Sequence, residues 1–186
     1  GTPVHIDLAH VQVGSYAAPI TWTMRGPDWE EVGSGTIAQG ESGRVALTPA
    51  RSGVHLLSVS AGSCAYRITA ANAPTGVLSE GGIHTIYGAS RLYLATPAKD
   101  ADFSIRVAGY GAETVKASLV KPDDTVAGTV QTAIGNPRAT LTIDEWMPGQ
   151  VWSLRLSKAD EGVLEDARIW LGKGMIPVLS DRKSVV

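Results

Sequence analysis

Apolar and polar residues alternate with a period of two along most of this chain. Ile20, Trp22 and Met24 are interleaved with Thr21 and Thr23, Phe103, Ile105 and Val107 with Ser104 and Arg106, and Trp152, Leu154 and Leu156 with Ser153 and Arg155. Successive side chains of a strand point to opposite faces, so each run puts its bulk on one face and its polar groups on the other. That is the pattern of a half-solvated antiparallel sheet. Runs of the same kind cover residues 4–13, 43–47, 53–60, 64–70, 92–95, 115–120, 138–143 and 167–171, with Gly-Pro, Pro-Asp, Asn-Pro and Pro-Gly turn signals between them. The stretch 157–166 (SKADEGVLED) has room for one helical turn, and Gly162 argues against more. The pattern predicts an all-β chain. In the first run Val4, Ile6 and Leu8 share one parity and Val11 and Val13 the other. This predicts a bulge near Ala9 or His10, in a strand of the kind that crosses between the two sheets of a sandwich.

The two halves of the chain resemble each other. Residues 20–35 (ITWTMRGPDWEEVGSG) lie over 115–130 (VKASLVKPDDTVAGTV), matching Pro27 with Pro122, Asp28 with Asp123 and Gly33 with Gly128. RVALT from Arg44 then matches RATLT from Arg138, HLLSVS from His55 matches WSLRLS from Trp152, and AYRIT from Ala65 matches DARIW from Asp166. The four blocks keep their order, and their spacing drifts only at turns, where insertions are cheap. The expectation is two tandem antiparallel β-sandwiches of immunoglobulin-like or jelly-roll-like type, residues 1–75 and 76–186, joined through a stiff packed connector at 71–82. By the same register His55 stands in the place of Trp152, and Trp170 faces away from its own core. An indole there is expected to cover a domain seam or mark a binding surface.

Composition narrows the field of functions. Sixteen basic residues against eighteen acidic ones leave a net charge of −2, without the basic stripe that nucleic acid requires. No apolar run approaches the roughly 18 residues needed to cross a bilayer. One cysteine, Cys64, excludes an intrachain disulfide and any cysteine-based zinc cluster, and an inert buried thiol is its expected role. A chain opening on Gly1 is what a removed leader would leave, though it is no argument for one; low charge and turn-rich composition favour an extracellular or periplasmic setting.

Catalytic motifs are missing from the sequence: it has no Gly-x-Ser-x-Gly elbow, P-loop, His-Glu-x-x-His or dinucleotide fingerprint. His5 and Asp7 share a strand face and could begin a metal site, but polar edge positions explain them as well, and no metal or other cofactor is expected. The acidic pairs fall in turns, where solvated carboxylates bonding nearby N–H groups are the ordinary reading. The tryptophans are better candidates. Trp29 and Trp146 sit on loops beside Glu30, Asp144 and Glu145, and an indole next to carboxylates can stack on a sugar ring while the acids bond its hydroxyls. With Trp170 these make the candidate glycan-binding set, against the alternative that each ring lids its own sandwich or fills a seam.

The second half also resembles a known kind of module. LYLATPAKDADFSIRVAGYGAETVKASLVKPDDTVAG, PGQVWSLRLSKADEGVLEDARIWL and IPVLS, spanning residues 83–180, are similar to β-sandwich modules of large exported bacterial proteins, of the bacterial pre-peptidase C-terminal type. The likeness rests on Leu92-Tyr93-Leu94, the Pro122-Asp123 turn, the Trp152 strand and Glu165-Asp166. Such modules are appended to glycoside-hydrolase-like or other carbohydrate-related regions and are generally non-catalytic, so no catalytic residues carry over. The first half departs in length and matches GVLEDARIWL only through AYRIT. Together these readings lead to a non-enzymatic accessory module of an exported bacterial protein, serving carbohydrate binding or domain spacing, with a glycan or neighbouring domains as partners. A purely structural protein–protein module is the alternative, and a small hydrolase using a carboxylate pair is a third.

Overall fold

The computed structural model describes residues 2–88 and 91–185. The chain is all-β, and it divides into two compact units, Gly1–Pro74 and Thr75–Val186.

The first unit carries β1 (Val4–Val11), β2 (Ile20–Arg25), β3 (Glu31–Ile37), β4 (Ser42–Leu47), β5 (Leu56–Ser60) and β6 (Ala65–Ala71). They form two antiparallel three-stranded sheets, ordered β4-β1-β6 and β3-β2-β5. Leu8 and Val45 from one sheet meet Ile20, Met24 and Ile37 from the other in a small core closed by Ala61. Strand β3 (EVGSGTI) carries little apolar bulk of its own. Trp22 supplies it: the indole stands opposite Gly35, where an added Cβ would come within 2.8 Å of the ring, and also covers Gly33. An aromatic ring laid across strand glycines shields backbone that would otherwise face water.

Strand β1 does not change sheets. It pairs with β4 through Val4–Ala9 and with β6 through Ile6–Val11, and the register shift falls between Asp7 and Leu8. Asp7 faces Ala70 and Leu8 faces Ile68, so the extra residue is Thr69 on β6, whose hydroxyl donates to the Asp7 carbonyl at 3.2 Å. The irregularity expected near Ala9 or His10 is thus absorbed by the partner strand. Asp7 is paired across the sheet with Arg44 through two contacts of 2.6 and 2.8 Å, which engage both carboxylate oxygens and leave no free His5–Asp7 pair. The guanidinium holds Asp7 below the usual carboxylate range. Cys64 is partly buried against the core, and its thiol donates to the Tyr16 carbonyl at 3.4 Å.

The second unit holds β7 (Val77–Leu78), β8 (Ile83–Ile86), β9 (Leu92–Ala95), β10 (Ser104–Ala108), β11 (Lys116–Val120), β12 (Val126–Gln131), β13 (Arg138–Thr142), β14 (Val151–Ser157), β15 (Asp166–Leu171) and β16 (Val178–Leu179). Two antiparallel four-stranded sheets, β13-β10-β15-β8 and β12-β11-β14-β9, enclose a core of Leu94, Phe103, Ile105, Val107, Leu119, Trp152, Leu154, Ile169 and their neighbours. The short strands β7 and β16 pair with each other. Residues 157–166 form no helix: Ala159 is buried and Val163 makes an isolated parallel bridge to Glu113.

Strand pairing in the two units follows one plan. Order β4-β1-β6 corresponds to β13-β10-β15, and β3-β2-β5 to β12-β11-β14. Met24 faces Leu57 as Leu119 faces Leu154, and the β2–β3 and β11–β12 ladders both shift register one residue later. The two hairpin tips share one hydrogen-bond pattern. Gly26 N–H donates to Glu30 O (2.9 Å) and Trp29 N–H to Gly26 O (3.0 Å), as Lys121 N–H donates to Thr125 O (2.8 Å) and Asp124 N–H to Lys121 O (3.0 Å). Trp29 and Asp124 both sit at φ 65°. Strands β8 and β9, which flank β15 and β14, have no counterpart among the described residues of the first unit.

Candidate functional site

Between the β11–β12 hairpin tip and the β13–β14 loop lies an open cleft of about 490 Å³. Lys121 and Asp123 line it from the tip, and Glu145, Trp146, Met147 and Gln150 from the loop. Buried Thr96 fixes that loop: its hydroxyl donates to Met147 O (2.7 Å) and accepts from Gln150 N–H (2.9 Å), while its own N–H donates to Gln150 O (2.8 Å). Trp146 is half-buried. Its Nε1–H donates to Pro97 O (3.1 Å), and its ring meets Phe103 edge-to-face at 5.4 Å. Phe103 in turn meets Trp152 at 5.2 Å, and Trp152 Nε1–H donates to the Gln150 amide oxygen (3.0 Å). The indole wall is therefore set before any ligand arrives, which lowers the ordering cost of binding. Asp123 accepts from Thr125 N–H (3.0 Å) and Thr125 O–H (2.6 Å), which hold its carboxyl below the usual range. The cleft offers carboxylates, an amide and an ammonium group beside an aromatic wall, a set suited to a hydroxyl-rich ligand.

Trp170 belongs to a different place, the outer face of the β13-β10-β15-β8 sheet. Arg106 lies over its ring at 4.3 Å from the centroid, Arg168 at 5.8 Å, and the backbone of Gly82 abuts its pyrrole edge. The stacked guanidinium groups are held there by the ring's negative face. A smaller hollow of about 240 Å³ beside it is lined by Tyr110, Arg138, Arg168 and Trp170. It shares no lining residue with the Trp146 cleft.

In the first unit Trp29 stands 70% exposed at its hairpin tip. Glu30 folds back over Gly26 and accepts from Asp28 N–H at 3.1 Å, so its carboxylate is occupied with the turn, and Arg51 pairs with Asp28. A positive φ suits glycine, or aspartate as at position 124, and strains an indole-bearing residue. Trp29→Gly is therefore expected to raise the first unit's stability by about 1 kcal/mol; a chemical-denaturation midpoint that falls instead would show that the indole has structural contacts.

Of the residues singled out in the sequence, Glu145 and Trp146 share the cleft, Asp144 stands exposed at the adjoining bend, Trp170 serves the arginine-bearing face, and Trp29 with Glu30 form the other unit's tip. Lys121, Asp123, Met147 and Gln150 were not foreseen as site residues. The Pro122-Asp123 turn was the one signal for two of them, and it read as structural.

Behind Tyr110, Glu113 is held above the usual carboxylate range by burial, with Asp166 and Glu165 adding repulsion that His84 partly offsets. The folded state binds this proton more tightly than the unfolded chain. Its contribution to stability is present below the ordinary value of 4.5 and is lost as pH rises through the raised folded value. Glu113→Gln is expected to raise the melting temperature at pH 7 and to leave it unchanged near pH 3.5; a gain of equal size at both pH values would exclude this linkage. Among the described residues no three metal-ligating side chains gather, and no helix is long and apolar enough to cross a membrane.

No family model and no curated protein matches the chain. Among solved structures it is similar to the structure of infectious bursal disease virus Gx strain, at 11% identity and a TM-score of 0.18, with 99% of this chain and 58% of that chain covered. That likeness is too slight to carry over fold or function.

Proposed function

We propose that this chain is a non-catalytic accessory module of an exported bacterial protein, of the pre-peptidase C-terminal kind, built from two copies of one duplicated β-sandwich. We further propose that its second unit binds carbohydrate in the Trp146 cleft. The duplication is supported by the common strand order and by the matching hairpin tips, with their shared register shift and a φ of 65° at Trp29 and Asp124. The observation that carries the carbohydrate reading is the fixed loop that holds Trp146 and Glu145 opposite Lys121 and Asp123 across one open cleft.

Within the Trp146 cleft hydrolysis by a carboxylate pair is disfavoured, because a general acid needs a carboxyl held protonated, and Asp123 is pushed the other way. The structural-module alternative draws on Trp170, whose ring is occupied by Arg106 and Arg168.

Affinity electrophoresis against soluble polysaccharides tests the cleft. Glu145→Ala is expected to weaken retardation about tenfold, the worth of one charge-assisted hydrogen bond, and Trp146→Ala to abolish it. Retardation unchanged in both variants, with folding verified by circular dichroism, would remove the cleft as the site.

A further inference from the structure

The two units differ on one flank, and that difference exposes core. In the second unit β8 lies along β15 and β9 along β14; Ile83 stands beside Ile169, Leu92 beside Leu154 and Leu94 beside Trp152. Ala167, Leu154 and Ile169 are thereby fully buried. In the first unit β6 pairs with β1 alone and β5 with β2 alone among the described residues. Ile68 stands opposite Leu8 and Tyr66 opposite His10, which places both on the core-facing side of β6. They are nevertheless 40% and 39% exposed, where Ile169 and Ala167, their counterparts in the sequence match, are at 0%. Leu57 and Val59 on β5 are likewise only part-buried.

An edge strand left open is normally guarded by lysine, proline or a covering element. From Tyr66 to Thr69, β6 carries one charge, Arg67, and no proline. The flank is thus apolar and extended, lightly guarded by Arg67 and the bulge at Thr69, while the same flank of the neighbouring unit displays its covering: two short strands that turn Ile83 from β8, and Leu92 and Leu94 at alternate positions of β9, toward the core.

We propose that the β5–β6 flank of the first unit is a strand-acceptor site, and that its occupant is an extended segment of a partner polypeptide with alternating apolar residues. The segment adds antiparallel to β6 and seats its inward side chains against Ile68, Tyr66 and Leu57. Main-chain pairing would supply affinity, and the alternate side chains specificity. This inference is independent of the carbohydrate reading, which concerns the other unit.

A 16-residue peptide with the sequence of residues 82–97, which contains β8 and β9, is the probe, added to the full chain and read by hydrogen exchange. Exchange across β5 and β6 is expected to slow about tenfold at peptide tenfold above its dissociation constant. The same peptide N-methylated at alternate amides, which removes its ladder donors, should give no protection. Ile68→Lys should also abolish the effect. As a second measurement, the same sequence fused through a flexible linker ahead of Thr2 is expected to raise the first unit's melting temperature by about 5–10 °C.

Three results would overturn the proposal: exchange at β5 and β6 indifferent to the peptide together with an unchanged melting temperature in the fusion, protection confined to β14 and β15, or protection that rises with chain concentration alone. The last would assign the flank to a second copy of this chain.

Discussion

Phe103→Ala is expected to destabilise the second unit by about 3–5 kcal/mol, the usual range for emptying a phenylalanine site in a closed core. Phe103 is 1% exposed and is the sole phenylalanine of the chain. It stands between two indoles, with interplanar angles of 76° to Trp146 and 61° to Trp152. Edge-to-face pairs add about 0.5–1.5 kcal/mol each beyond the area they bury, which places the expected loss toward the upper end of the range. The same substitution removes the support behind Trp146, so carbohydrate retardation should weaken even under conditions where the unit stays folded. Phe103→Leu separates the two effects, because it keeps most of the volume and loses the ring geometry. Urea denaturation of both variants checks the prediction. A loss below 1 kcal/mol for the alanine variant would mean that the rings close over the gap and that the cleft wall is soft.

Leu8→Ala is expected to do proportionately more damage. Leu8 is fully buried in the first unit, whose buried core counts six residues among those described. A unit of this size has a total stability of about 4–11 kcal/mol, and the substitution removes about 2–5 kcal/mol of it. Hydrogen exchange along β1, β4 and β6 should accelerate by one to several orders of magnitude. Accelerated exchange limited to β1 would show that the strand frays by itself and that the six-residue core is not cooperative.

Most of the strands could be read from the sequence because their side chains carry their own signal. Ile105 and Val107 go inward and Arg106 outward with no help from elsewhere, and the run at 92–95 coincides with β9. Strand β3 was hidden because its covering side chain, Trp22, is encoded on β2, and Gly33 and Gly35 carry no side chain to mark a period of two. Strand β12 was hidden similarly: a Cβ at Gly128 would come within 2.7 Å of the Leu141 side chain, so the position must stay small. The parity change in β1 was real, but a sequence read one strand at a time cannot show that the partner, through Thr69, takes up the extra residue.

The candidate site divides in the same way. Glu145 and Trp146 are adjacent in the chain and were legible as a loop, whereas Lys121 and Asp123 reach them only through the closure of the sandwich. Arg168 and Trp170 share a face by simple alternation. Arg106 joins them because β10 happens to be the neighbouring strand, directly opposite Trp170 in register.

The solitary thiol has a practical consequence. Cys64 is tucked against the smaller core and tied to the Tyr16 carbonyl, and the other unit contains no sulfhydryl at all. Alkylation kinetics of the unmodified chain therefore report on one half alone. No label need be engineered, and the acceleration produced by Leu8→Ala, or the slowing produced by an added strand, can be timed at the same atom.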